Sequence, residues 1–336
     1  MNLFRTRRND EAALLPSEGR APSFEGATGW LNSTPLVADD LRGRSALVNF
    51  CTFTCINWIR QLPYVRAWAE KYEDRGLVVV GVHTPEFAVE HDLDNIRRAL
   101  RAMSVEYPVA VDNDYAIWSA FANRAWPALY FVDAEGQIRH HRLGEGDYER
   151  SERVVQQLLQ EAGSSGDDDN LVSVDPDGAE APADWDSLES SENYVGYDRT
   201  EHFASPGGAD LDEPREYGVP DSLRLNQWAL GGNWTMSRET AALNGAEGRI
   251  AYRFHARDLH LVMGPAASGA SVRFRVLLDG QPPGPAHGAD VDEEGNGTVT
   301  EPRLHQLIRQ PGRVEERTFE ISFLDPGVQA YSFTFG

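Results

Sequence analysis

The run Leu77-Val78-Val79-Val80-Gly81-Val82 is apolar from end to end and rich in β-branched residues. A strand of that composition has no polar face to turn to water. It belongs inside a sheet covered on both sides, as parallel sheets are. A second short apolar run, residues 45–50, lies between polar flanks and also reads as a buried strand. Between them, residues 55–75 form a predicted helix. Ile59, Leu62, Val65, Ala69 and Tyr72 recur at helical spacing, Pro63 predicts a kink and Gly76 a stop. Residues 92–103 read as a helix with early acids and late arginines, 107–111 as a strand, and 115–122 as a short helix. Residues 128–132 and 137–143 form a predicted hairpin around Asp133-Ala134-Glu135-Gly136, and 148–162 a closing helix. This order predicts an α/β domain with a central sheet over residues 21–162.

A chain of 336 residues has room for a second core. Residues 1–20 are polar and expected to be flexible, and 163–183 read as an acidic linker unable to bury an apolar face. From residue 184 the character changes. Short apolar runs at 223–230, 249–254, 259–263, 272–278, 318–324 and 331–335 alternate with Gly/Pro/Asp turns. That pattern predicts an all-β sandwich, jelly-roll-like, over 184–336.

The two cysteines, Cys51 and Cys55, fall at the end of the first strand and the start of the first helix. Unpaired N–H groups and the helix dipole favour an anion there, so the Cys55 thiolate is expected to be favoured. No second Cys/His pair lies nearby to complete a zinc site, and no metal or cofactor is expected. The formal net charge of -22 argues against nucleic acid and anionic lipid as partners. No apolar run spans a bilayer, and Ala12-Ala13-Leu14-Leu15 is too short for a secretion signal, so a cytoplasmic location is expected. In a reducing compartment two such cysteines point to catalysis or redox sensing.

Val48-Asn49-Phe50 followed by Cys55, and Trp126-Pro127-Ala128-Leu129-Tyr130-Phe131-Val132-Asp133, resemble the two motifs of the thioredoxin-like family in its TlpA/redoxin-type branch. The later residues resemble the carbohydrate-binding-module-like β domain that follows thioredoxin in DipZ-type proteins. The resemblance implies that Cys55 is the nucleophile, that Pro127 is a cis proline, and that Trp126 and Pro127 dock the partner's backbone. Two departures stand out. Trp58 occupies the place of the family's resolving cysteine, and Cys51 that of its tryptophan.

Three functions stay open. In thiol–disulfide exchange, Cys51 resolves the mixed disulfide formed at Cys55. Four residues extended span about 13 Å, and a disulfide needs Cα atoms within roughly 7 Å, so Thr52-Phe53-Thr54 must turn back. As a thiol peroxidase, the chain would use Thr52 and Cys55 in a Thr-x-x-Cys similar to that of peroxiredoxins, although Val48 replaces the proline of that motif. As a scaffold, it would have lost redox function, as Trp58 suggests. His83 and Glu86 follow the Leu77–Val82 run, on the edge where open α/β sheets carry ligands, and are auxiliary candidates for proton transfer. His140 and His141 alternate faces and cannot share a metal. Residues 290–295 with Glu301 imitate a calcium loop without its helices and read as an acidic hairpin turn. Trp228, Trp234, Tyr252 and Phe254 are candidates for a glycan face, with core packing the stronger expectation.

Overall fold

The computed structural model describes residues 15–164 and 170–336. The first layer system is a seven-stranded sheet with α-helices. Its elements are β1 (Gly19–Arg20), β2 (Gly29–Leu31), β3 (Ser45–Cys51), α1 (Ile56–Tyr72), β4 (Leu77–His83), α2 (Leu93–Ala102), β5 (Val109–Val111), α3 (Ala116–Ala120), β6 (Ala128–Val132), β7 (Gln137–Leu143) and α4 (Tyr148–Glu161). The strand order is β1-β7-β6-β3-β4-β5-β2. β4 pairs in parallel with both β3 and β5, as its unbroken apolar composition demands. One face of the sheet packs Leu47, Val79, Leu129 and Phe131 against α1, α2 and α4. The other packs Val48, Phe50, Val80 and Tyr130 against Ile117 of α3 and Phe24. α1 continues through Pro63, which is itself buried.

The first twenty residues divide. Residues 1–14 lie outside the described part of the chain. Gly19 and Arg20 pair with Ile138 and Gln137 of β7, so the expected flexible segment ends in an edge strand. Residues 170–183 also depart from a free linker. The Val172 amide donates to both oxygens of Glu152 at 2.9 and 3.0 Å. Arg66 of α1 holds Glu180 through two 2.8 Å hydrogen bonds. The apolar content is small, but charge-assisted bonds suffice to seat the segment.

Residues beyond 184 form β8 (Asn193–Tyr194), β9 (Pro214–Tyr217), β10 (Trp228–Met236), β11 (Ala241–Leu243), β12 (Arg249–His255), β13 (Asp258–Pro265), β14 (Val272–Leu278), β15 (Asn296–Val299), β16 (Arg303–Arg309), β17 (Glu316–Phe323) and β18 (Val328–Phe335). β10 belongs to both halves of this curled sheet. Residues 228–231 pair with β12, and residues 232–235 with β9. Gly232, at φ 92°, sits at the crossing and allows the bend. The expected strand at 223–230 is therefore displaced: the glycine pair Gly231-Gly232, which resembles a turn, lies inside a strand that changes layer. The two halves enclose a core of Trp228, Trp234, Tyr252, Phe254, Phe274, Phe319 and Phe333.

β13 alternates strictly. Leu259, Leu261 and Met263 face that core, while His260 and Val262 point outward. Yet His260 and Val262 are each only 1% exposed. Val262, Leu304 of β16 and Tyr331 of β18 instead join the core formed around α1. The first domain covers the outer face of the second, so β13 is buried on both sides.

Candidate active site

Cys51 ends β3, where its carbonyl accepts from the Thr84 amide at 2.9 Å. The chain then turns: the Cys55 amide donates to the Thr52 carbonyl at 3.2 Å, and Cys55 is the N-cap of α1. A single fully buried carboxylate braces this turn. Glu90 accepts from the Thr54 amide at 3.3 Å and from its hydroxyl at 2.6 Å. It also accepts from the amides of Glu86 and Phe87 at 2.6 and 2.9 Å. Glu90 thus ties the cysteine turn to the loop after β4. Thr52 is buried. Its hydroxyl makes no well-formed hydrogen bond but lies close enough to Glu90 to favour that group's charged form.

Both thiols are free, Cys51 buried and Cys55 half-buried. The Cys51 Sγ donates weakly to the Val82 carbonyl at 3.5 Å. Burial first, and the Glu90 charge second, push the Cys51 thiol far up. Cys55 corrects the expectation of a favoured thiolate. Burial is the largest influence and raises its pKa well above the usual thiol value, and the Glu86 charge adds to the rise. The amides of Trp58 and Asn57 do pull it down, as a helix N-terminus should, but they are outweighed, and Glu192 raises it further.

Trp58 is fully buried and structural. Its indole N–H donates to Asn49 Oδ1 at 2.9 Å, and the Asn49 amide donates to Gln61 at 2.8 Å. Phe50 pairs with Ala128, so Pro127 lies one step further along, level with Cys51. The Trp126–Pro127 peptide bond is cis. Trp126 donates its indole N–H to the Thr84 carbonyl at 3.0 Å and packs at a tilt against Trp118, with ring centroids 4.3 Å apart. The strand register thus brings Pro127 and the end of β3 together.

His83 does not serve as the expected proton carrier. It is fully buried against Phe53, with ring centroids 5.7 Å apart. Neither ring nitrogen has a hydrogen-bond partner, and burial holds its pKa down to about 3. Glu86, by contrast, is tied to the cysteine turn: its amide bonds the same Glu90 carboxylate that holds Thr54, the residue before Cys55. Its Oε1 accepts from the Tyr194 hydroxyl at 2.7 Å and from Arg199 at 2.9 Å. A cavity of about 250 Å³ lies between Glu86, Tyr115, Trp126, Tyr194 and Arg199.

Glu90, Glu192, Tyr194 and Arg199 were missed in the sequence. Glu90 left a local signal, an acid three residues after Phe87 and able to reach back to the first amides of a turn. Tyr194 and Arg199 left none, being 108 and 113 residues from Glu86.

The other candidates resolve differently. Trp228, Trp234, Tyr252 and Phe254 are at most 1% exposed, so they form core and no glycan face. Asp290 bonds Arg303 at 2.5 Å and the Gln306 amide at 2.7 Å, and Asp292 caps Asn296. No group of three metal-ligating side chains occurs among the described residues. His140 packs at a tilt against Phe131, and His141 stacks on Tyr130. No helix among the described residues is long and apolar enough to cross a membrane.

Residues 18–141 match the AhpC/TSA family, and residues 190–336 match the family described as thioredoxin-like C-terminal domain. The chain is 34% identical to protein DipZ of Mycobacterium tuberculosis over 333 residues, covering 98% of this chain and 44% of that protein. It thus spans less than half the length of these relatives. It is 30% identical over 140 residues to the thiol-disulfide oxidoreductase YkuV of Bacillus subtilis, covering 42% of this chain and 94% of YkuV. A solved thioredoxin-like protein in its oxidised form aligns at 30% identity over 43% of this chain and 96% of its own, with a TM-score of 0.40.

Proposed function

The chain belongs to the thioredoxin-like family, and from that premise we propose that it exchanges thiols and disulfides through Cys55, with Cys51 as the resolving thiol. One observation carries this reading. Cys55 is half-exposed at the N-cap of α1, with the amides of Asn57 and Trp58 stabilising negative charge on its sulfur. Cys51 packs in the same apolar cluster that Cys55 borders.

Cys55 gives up its proton and its sulfur attacks the substrate disulfide. The substrate S–S bond breaks, a mixed disulfide forms, and the first leaving thiolate takes up a proton. Cys51 then loses its proton and attacks the Cys55 sulfur, which releases the second substrate thiol. Two electrons have passed to the substrate, and an external dithiol returns Cys51 and Cys55 to their thiol forms. Trp126 and Pro127 form the surface along which the substrate backbone or a small disulfide lies. The raised pKa of Cys55 makes the first step faster as pH rises.

A redox titration in glutathione buffers, read by mass spectrometry after alkylation, tests the reading. A reversible loss of two hydrogens localised to Cys51 and Cys55 supports it. Two thiols that stay reduced and unreactive overturn it and leave a scaffold. The match of residues 18–141 to the AhpC/TSA family, together with Thr52 three residues before Cys55, favours a second reading, peroxide reduction at Cys55. Turnover of hydrogen peroxide, compared with that of a small disulfide, separates the two.

A further inference from the structure

The second domain also reaches the loop that follows β4. Besides the Tyr194 and Arg199 bonds to Glu86, the Glu239 carboxylate accepts from the Ala88 amide at 2.9 Å. The Arg199 guanidinium also lies over the Tyr194 ring, 3.4 Å from its centroid. Tyr194 packs against the cluster that holds Cys51 and borders Cys55, and its ring lies 6.1 Å from that of Phe87. The segment that carries these residues runs closely along the turn after β10. The amides of Tyr197 and Asp198 each donate at 3.0 Å to the carbonyls of Ser237 and Arg238. Gly196 makes this approach possible, since a Cβ there would lie 2.3 Å from the Glu239 backbone.

We infer that the C-terminal domain is part of the thiol site: Tyr194 and Arg199 are positioning residues that hold Glu86 beside Cys55, and through Glu86 they set how readily Cys55 gives up its proton. This rests on the reading of Cys55 as the nucleophile. The physical argument is electrostatic. Glu86 is the charge that most strongly opposes ionisation of Cys55, and its side chain is only 11% exposed, so water screens it poorly. Arg199 offsets that charge, and the Tyr194 hydroxyl fixes where it sits. The titratable and charged groups facing the pair are Glu90 from the same loop, Tyr115 before α3, Glu192 beside Tyr194, Asp198 next to Arg199, and Arg238 and Glu239 from the turn after β10.

The experiment measures the alkylation rate of Cys55 against pH on the full chain, with mass spectrometry to distinguish Cys55 from Cys51. Glu86→Gln removes the opposing charge and is expected to shift the profile down by about one pH unit. Arg199→Gln exposes Glu86 and is expected to shift it up by a similar amount. Arg199→Lys restores the wild-type position, and Tyr194→Phe shifts the profile less than Arg199→Gln. Opposite shifts for Glu86→Gln and Arg199→Gln are a signature that loosened packing does not produce. A reactive Cys55 whose profile does not move, or moves the same way in both variants, overturns this inference alone. A Cys55 unreactive in every variant overturns the thiol reading with it.

Discussion

The indole N–H of Trp58 donates to Asn49 Oδ1 at 2.9 Å, so this tryptophan of the first helical turn fastens α1 to β3. The bond is buried at both ends.

Trp58→Phe keeps much of the apolar volume but leaves Asn49 Oδ1 without its donor. Stranding a buried acceptor costs about 1–3 kcal/mol. Trp58→Ala adds a cavity and is expected to cost about 3–5 kcal/mol. Urea denaturation of the three proteins measures both, and equal stability of Trp58→Phe and wild type would refute the anchoring role.

Cys55→Ser is expected to abolish all thiol exchange. Cys51→Ser is expected to leave the first attack intact and to accumulate a mixed disulfide at Cys55, visible as an adduct in intact-mass spectra. A Cys51→Ser protein that turns over like wild type removes Cys51 from the mechanism.

Stability is expected to fall as the medium becomes acid. Burial first holds His83, His260 and His305 down to about 3, whereas an unfolded histidine titrates near 6.5. Between those values the unfolded chain binds protons that the folded one refuses. Each histidine then removes about 1.4 kcal/mol per pH unit as pH falls. Glu192 works the other way: desolvation, then Glu86, raises it to about 7, so its protonation favours the folded state as pH falls from about 7. It is an exposed residue, and solvent screening keeps its share small. His83→Leu isolates one histidine. With neither ring nitrogen bonded, this variant is expected to be at least as stable as wild type at pH 7, with a shallower acid limb between pH 6.5 and 5 in denaturant titrations.

Arg60 joins the two domains from the N-terminal part of α1. Its guanidinium donates to the Phe335 carbonyl at 3.3 Å and pairs with Glu145 at 3.4 Å, with side-chain exposures of 2% and 12%. Arg60→Ala leaves the half-buried Glu145 carboxylate and the Phe335 carbonyl without their partner, a loss of about 1–3 kcal/mol. The thermal transition should drop accordingly, and limited proteolysis should gain cuts between the domains. An unchanged transition would show that the domain contact does not depend on this pair.

Local pattern made most of the first domain legible. The unbroken run of β4, the helical spacing in α1, and the Asp92 cap with the acid and arginines of α2 each fix one element from residues close in sequence. In the second domain the strand from Val272 to Leu278 coincided with its alternation, while β16 stayed hidden. Arg303-Leu304-His305-Gln306-Leu307-Ile308-Arg309 mixes polar and apolar residues because both its faces are buried, one against a core and one against another domain. A period-two reading presumes that one face meets water.

The sequence by itself determined which atoms are available for chemistry: two thiols at a strand-to-helix turn, a proline motif, and no third thiol. Short-range geometry suffices for that, since a turn and a helix cap involve residues a few positions apart. Whether Cys55 ionises readily was decided only by the tertiary structure. The helix N-terminus favours the thiolate, but burial and the carboxylates of Glu86 and Glu192 oppose it more strongly. One of those carboxylates comes from the second domain, and the other is held by that domain's Tyr194 and Arg199. Electrostatic influence follows distance in space and the exclusion of water, and neither quantity can be read along the chain.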